Sequence, residues 1–140
     1  MAEQSAEASP EVSGTSLKGP TIWLYGLSKE HWERLQEHFN AKLFSTEDLP
    51  AGMQNSNTAA AVELEKSFTR QADIVIVNCL DISVEAICIA NYAWSVGKAQ
   101  CIVLYDRMDV PWINLHANAV LGTEEEAIQY VESIIKAARI

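Results

Sequence analysis

Two carboxylates stand four residues apart in the segment DISVEAICIANYAWSVGK, which begins at Asp81. An almost wholly apolar run follows them and ends at Gly97, so the pattern predicts a helix whose first turn carries Glu85. The free N–H groups and the dipole at a helix N-terminus favour an ionised carboxylate. Such a carboxylate can act as a nucleophile or stabilise positive charge that develops on a sugar carbon. Asp81 can cap the helix or hold a ribose hydroxyl.

Both acids also have a structural interpretation that requires no catalysis. Carboxylates are common in the first turn of a helix, where each one stabilises the helix by about 0.3–1 kcal/mol. The residue types alone leave both interpretations open. The elements that position Asp81 and Glu85 therefore have to be considered next.

Strand and helix patterns alternate along the chain from Thr21 onward. Apolar, often β-branched runs predict strands at 21–25, 41–44, 73–80, 100–105 and 118–121. Helices are predicted at 28–39, 58–72, 81–97 and 123–140, and loops at 45–57 and 106–117. Because parallel neighbours need crossover helices, this alternation predicts a single three-layer α/β/α domain with a five-stranded parallel sheet in the flavodoxin-like order 2-1-3-4-5.

Ligands of such sheets bind beyond the carboxyl ends of the strands, at the point where the winding reverses. In the predicted order this point lies between strands 21–25 and 73–80. The loops that converge there contain Tyr25 and Gly26, then residues 78–85, then Asp106 and Arg107. Topology therefore places the two acids beside the predicted crevice, and this is the strongest functional inference from the residues alone.

The other residues at this crevice have two interpretations each. Gly26 lets a ligand approach the backbone closely, or simply makes the turn. Tyr25 can stack on a base, or pack beneath the adjacent helix. Arg107 can hold a phosphate in a fork, or pair with Asp106 or Asp109.

Charge and composition exclude several classes of partner. The 140 residues include 10 Lys and Arg against 19 Asp and Glu, and the net charge of −9 opposes duplex nucleic acid and anionic membranes. No apolar run approaches the roughly 20 residues of a membrane helix, and the N-terminus lacks a secretory pattern, so a cytoplasmic location is predicted. Residues 1–20 are rich in Ala, Ser, Glu, Gly and Pro and predict a disordered leader ahead of a domain at 21–140.

Metal and cofactor signals are missing from the sequence. The cysteines, Cys79, Cys88 and Cys101, match no zinc pattern and are predicted to be small buried hydrophobic side chains. Neither a P-loop nor a dinucleotide-binding glycine pattern follows a strand. The expected site therefore uses no cofactor and no metal.

The order of the motifs IWLYG, ELEKSFTRQADIVIVN and DISVEAICIANYAWSVGKAQCIVLYDR resembles the nucleoside 2-deoxyribosyltransferase-like family, whose members are small parallel α/β proteins that cleave N-glycosidic bonds. Residues 22–26 match the family's first strand. Glu65 lies eight residues before Asp73 and takes the place of the family's second acid, although this side chain can face either the site or solvent. The resemblance spans about 21–121.

The third motif of the family starts here at Asp81 and Ser83, but the family's nucleophilic Glu aligns with Ile89. Glu85 lies one helical turn earlier on the same face, about 6 Å away. The resemblance implies an enzyme of a nucleoside or nucleotide in which Glu85 is the nucleophile or charge stabiliser, while Asp81 and Glu65 orient the substrate. The alternative is a catalytically inactive nucleotide-binding or protein-interaction module on the same fold.

The resemblance also implies a homo-oligomer, because members of the family complete their sites across subunit contacts. The segment PWINLHAN at 111–118, with Trp112 and Asn114, is the expected contact and substrate-binding loop. An exposed Trp beside a Pro is typical of an interface. The same loop can equally fold back onto its own sheet.

Overall fold

Five short strands form one parallel sheet in this protein. The computed structural model describes residues 19–50, 59–81, 83–107 and 109–138. The strands, labelled β1 to β5 in chain order, are Thr21–Tyr25, Lys42–Ser45, Ile74–Asn78, Gln100–Leu104 and Ala119–Leu121. Their order in the sheet is β2-β1-β3-β4-β5, with every pair parallel. The predicted α/β class, single five-stranded parallel sheet and strand order are confirmed.

Helices connect the strands and cover both faces of the sheet. The α-helices, labelled α1 to α5, are Glu33–Phe39, Ala59–Gln71, Val84–Val96, Pro111–Leu115 and Glu124–Ala138. Two 3₁₀ helices, Glu30–Trp32 and Thr46–Asp48, precede α1 and follow β2. None of the described helices is both long and apolar enough to span a bilayer. The cytoplasmic location stays a prediction.

Alternating side chains of the strands divide the core into two halves. On one face, Leu24 and Ile76 pack with Trp32 and with Ile128 and Val131 of α5. On the other face, the intervening side chains of the strands pack with side chains of α3 and α4 to form the second half of the core. Phe68 of α2 packs against this half. Its buried members include Trp23, Val75, Val77, Ala86, Ile89, Ala90, Ala93 and Ile113. This period of two explains why the central strands are apolar without interruption, since both of their faces are buried.

The structure differs from the predicted elements between residues 106 and 117. This segment was predicted to be a loop because Pro and polar residues interrupt it, yet it contains the short helix α4. Pro111 occupies the first turn, where its missing N–H costs no hydrogen bond, and Ile113 is buried in the second half of the core. A proline that usually breaks a helix here begins one.

Residues 19 and 20, directly before β1, pack closely against the segment between α1 and β2. The carbonyl of Pro20 accepts a hydrogen bond from the Lys42 N–H at 2.9 Å. A Cβ on Gly19 would lie 2.2 Å from the Asn40 carbonyl oxygen, so only glycine fits there. Residues 1–18 of the predicted leader, like 51–58 of the predicted loop, lie outside the described residues.

Candidate functional site

The carboxyl end of β1 is one wall of the candidate site. Tyr25 ends this strand, and its half-buried ring lies edge-on to Trp23 with 6.1 Å between the ring centroids. The Tyr25 side chain packs on the same face of the sheet as α3 and Phe68 of α2. Glu65 lies on α2 and Glu85 in the first turn of α3. Two carboxylates and a phenol thus belong to elements that meet on one side of the sheet.

Electrostatics link these three side chains. Burial, followed by the charges of Glu65 and Glu85, raises the pKa of the Tyr25 phenol to about 12. Burial, and then the charge of Glu85, raises the pKa of the Glu65 carboxyl above its ordinary value. Tyr25 therefore keeps its proton at neutral pH and can donate a hydrogen bond, while Glu65 holds its proton to a higher pH than an exposed glutamate does.

Ser83, rather than Asp81, caps α3. Its hydroxyl accepts a hydrogen bond from the Ala86 N–H at 3.1 Å, and its backbone is extended as an N-cap requires. Asp81 lies two residues earlier, is exposed, and has no hydrogen-bond partner among the described residues. Of the two roles expected for Asp81, the capping role is therefore wrong for this helix. The substrate-binding role of Ser83 and of Asp81 stays a prediction.

Asn78, which was not among the predicted site residues, ties together the two loops that border the crevice. Its side-chain amide donates to the Gly26 carbonyl at 3.1 Å, and its side-chain oxygen accepts from the Leu80 N–H at 3.0 Å. Gly26 has a φ of +79°, and a Cβ there would lie 3.2 Å from the Cβ of Asn78. Gly26 is needed both for its backbone conformation and for this close approach. The signal in the sequence that could have indicated this role is an Asn directly after a buried run of β-branched residues.

Arg107 is held by its own loop. Its Nε lies 3.7 Å from the Asp109 carboxylate, and its guanidinium carbon lies 5.6 Å from the centroid of the Tyr105 ring. The Tyr105 hydroxyl donates a hydrogen bond to the same carboxylate. Accepting that bond lowers the pKa of Asp109, while burial and the same bond raise the pKa of Tyr105. Of the two roles expected for Arg107, the structure places it in an ion pair.

The remaining residues at this edge are more separate. Asp106 is exposed and has no partner among the described residues. Asn114 lies within α4, and its side chain is outside the described set. Arg107 contacts Tyr105 and Asp109, which lie in its own segment of the chain. The structure thus brings Tyr25, Glu65 and Glu85 together and leaves Asp106 and Arg107 as a separate group.

The cysteines and Ile89 fix which face of α3 points outward. Cys79 and Cys101 are buried as predicted, and burial raises their pKa values to about 11 and about 12. Cys88 is exposed, so the prediction that all three are buried is wrong at this position, which lies outside the apolar face of α3. Ile89, at the position that aligns with the family's nucleophile, is buried in the core. A side chain at that position faces the sheet.

An aromatic patch, formed by Trp94, Trp112 and His116, lies on the surface beside α3 and α4. Trp112 is 61% exposed and stacks on His116 at a centroid distance of 4.7 Å. Trp94 is 41% exposed and meets the same imidazole edge-on at 6.0 Å. Helix α4 therefore folds against α3 while it leaves the Trp112 indole mostly in water. Within the described part of the chain, no group of three or more His, Cys, Asp or Glu side chains can hold a metal ion.

Known structures share this fold at low sequence identity. A CMP N-glycosidase of Clostridium botulinum matches over 80% of this chain and 98% of its own, with 13% identity and a TM-score of 0.51. A 2-deoxyribosyltransferase of Bacillus psychrosaccharolyticus matches over 77% and 90%, with 11% identity and a TM-score of 0.54. The SEFIR domain of an IL-17 receptor B matches over 84% and 96%, with 14% identity and a TM-score of 0.52. No protein-family model and no curated protein matches the sequence.

Proposed function

We propose that this chain, whose fold is that of the nucleoside 2-deoxyribosyltransferase-like proteins, cleaves or transfers the N-glycosidic bond of a nucleoside or nucleotide. One observation carries the proposal. Glu65 on α2 and Glu85 in the first turn of α3 belong to helices that pack on the same face of the sheet as Tyr25, where the winding of the sheet reverses, and their charges raise the pKa of its phenol. Sheets of this type bind their ligands there.

The chemistry assigns a different task to each carboxyl group. The Glu85 carboxylate attacks or stabilises the anomeric carbon as the carbon–nitrogen bond to the base breaks. Glu65, whose pKa is raised by burial and by Glu85, gives its proton to the departing base nitrogen. Water or a second base then attacks the anomeric carbon, releases Glu85 and returns a proton to Glu65. The Tyr25 phenol donates a hydrogen bond to the sugar or base.

Base release is expected to fall as the pH rises through the pKa of Glu65. Only the protonated carboxyl can donate, and the raised pKa moves this alkaline decline to a higher pH than an exposed glutamate would give. Glu65→Gln should lower kcat/KM by about 10²-fold and remove the decline. The measurement is chromatographic detection of free base from a panel of nucleosides and 5′-monophosphates between pH 4 and 9.

Glu63→Gln is the matched control, since Glu63 lies on the same helix, is exposed and pairs with Lys66 at 3.4 Å. It should keep both the rate and the pH profile of the wild type. A Glu65→Gln variant with an unchanged profile would remove the general-acid role from Glu65.

A non-catalytic module that binds a nucleotide or a protein is the second candidate function. Two observations favour it: Ile89 is buried where the family has its nucleophile, and a receptor domain shares the fold. Such a module would be stabilised by a nucleoside or nucleotide without turning it over. Base release that depends on Glu85 excludes this candidate.

We also propose that copies of the chain associate through the aromatic patch. The patch carries no acidic side chain, so its three residues add nothing to the repulsion between two copies that each have a net charge of −9. Two exposed indoles provide the aromatic contact area that interfaces favour.

Trp112→Glu is expected to shift the protein to the monomer, because it places a charge at the centre of the proposed contact. Sedimentation velocity across a concentration series measures the change. Val62→Glu is the matched control, since Val62 is 44% exposed on α2, a helix that contributes no side chain to the patch, and should leave association unchanged. A wild-type protein that is monomeric at every concentration contradicts the proposed contact.

A further inference from the structure

Asn78 lies where the pairing of β1 and β3 ends, at the carboxyl ends of the strands. The last residues in register on these two strands are Tyr25 and Val77, so Gly26 and Asn78 are the next residues along. The half-buried Asn78 side chain donates its amide N–H to the Gly26 carbonyl at 3.1 Å. A side chain thus continues the pairing of the two strands by one residue, directly after Tyr25.

The second polar atom of the same amide fixes the start of the segment between β3 and α3. The side-chain oxygen of Asn78 accepts a hydrogen bond from the Leu80 N–H at 3.0 Å, as in an Asx turn. The intervening Cys79 donates its N–H to the Leu104 carbonyl at 2.9 Å, which holds this turn on β4. Glu85 follows in the first turn of α3. One side chain therefore connects the end of β1 with the segment that leads to Glu85.

The two bonds together require the neutral amide of asparagine. The Leu80 N–H can only donate and the Gly26 carbonyl can only accept, so one short side chain has to supply both an acceptor and a donor. An ionised aspartate has the acceptor but no donor, and alanine has neither. The position therefore requires more than a side chain of the right size.

We propose that Asn78 is a positioning residue of the candidate site, which holds Tyr25 and Glu85 in a fixed relation through the backbone of Gly26 and Leu80. This inference rests on the proposed function, in which Tyr25 and Glu85 act on one substrate. Asn78 takes no part in bond breaking. Its effect is geometric, and a displacement of about 1 Å in an active site can lower a rate by about 10²-fold.

The test compares Asn78→Ala with Asn118→Ala in the full chain. Asn118 is the matched control, because its side-chain oxygen also links two strands, by accepting from the Cys101 N–H at 2.7 Å, but it does so at the amino ends of the strands. The readout is base release from the panel of nucleosides and 5′-monophosphates, expressed per folded molecule.

For Asn78→Ala we expect kcat to fall by about 10²-fold with little change in KM. Asn118→Ala should leave both constants unchanged. A wild-type kcat in folded Asn78→Ala overturns the inference, and any loss of stability in that variant then reflects a structural role alone.

Asn78→Asp provides a pH signature that a structural role would not give. The introduced carboxyl group regains a donor for the Gly26 carbonyl when it is protonated. The kcat of this variant relative to wild type should therefore rise as the pH falls, whereas the same ratio for Asn78→Ala should stay constant. A ratio for Asn78→Asp that does not change with pH overturns the role of the bond to Gly26.

Amide NMR spectra of the isotope-labelled chain separate this inference from the function on which it rests. Glu85 lies seven residues from Asn78, so its amide resonance reports movement of the whole segment. In Asn78→Ala the resonances of Tyr25 and Glu85 should both shift, and in Asn118→Ala neither should. If they shift but the wild type releases no base, the positioning role stands and the catalytic proposal alone is overturned. An unchanged Glu85 resonance overturns the inference even in an active enzyme.

Discussion

Replacing Glu85 by glutamine is expected to lower base release by at least about 10³-fold. The amide has nearly the same shape as the carboxyl group but cannot attack the anomeric carbon or carry the charge that stabilises it. Glu85 is exposed, so no buried hydrogen bond is lost with it. Its helix loses about 0.3–1 kcal/mol of favourable interaction with the dipole, and this change leaves the protein folded.

The matched control for this variant is Glu33→Gln. Glu33 is also an exposed glutamate in the first turn of an α-helix, but α1 lies on the opposite face of the sheet. Both variants lose the same charge in the same local setting, and only Glu85→Gln should lose activity. Circular dichroism verifies that each variant is folded. Activity above a tenth of the wild type in Glu85→Gln would rule out Glu85 as nucleophile or charge stabiliser.

Trp23→Ala is expected to destabilise the protein by about 3–5 kcal/mol. Trp23 is completely buried in the middle of β1, and its ring lies 5.0 Å from Phe68 and 6.1 Å from Tyr25. Truncation leaves a cavity beneath Tyr25 that the rigid strands cannot fill. Urea unfolding measures the loss directly, and the melting temperature should fall by roughly 10–20 °C.

Trp112→Ala is the matched control for packing, because it makes the same chemical change at an indole that is 61% exposed. At protein concentrations too low for association, it should alter the free energy of unfolding by at most about 1 kcal/mol. Trp23→Phe separates packing from polarity. Within the described part of the chain the Trp23 Nε1–H is buried without a partner, so its removal relieves a cost of about 1–3 kcal/mol. Equal losses at Trp23 and Trp112 would contradict the burial of Trp23.

The sequence predicted the sheet well because strand identity depends on local composition. The apolar run that contains β3 has a β-branched residue at each of Ile74, Val75, Ile76 and Val77, and all four are buried. Alternation of such runs with helices leaves few arrangements for a parallel sheet. The strand order could therefore be predicted, and this order places Tyr25 on the face of the sheet that α2 and α3 cover.

The details of the site depend on contacts that local patterns do not encode. Asp81 and Ser83 are both good capping residues, and the one whose backbone is extended before Val84 becomes the cap. Asn78 acts through Gly26, which is 52 residues away in sequence. Arg107 had acidic neighbours on both sides, and the fold of its loop selected Asp109. Each choice is made by tertiary structure.

The attachment of α5 to the first helical segment has a consequence for how the chain folds during synthesis. Trp32 donates its indole N–H to Glu124 at 2.6 Å, and Arg34 bridges to Glu125 and Glu132. Ile22 and Leu24 are covered by residues of α5 that are translated about a hundred residues after them. One half of the core therefore cannot close until residues as far as Ile135 have emerged from the ribosome.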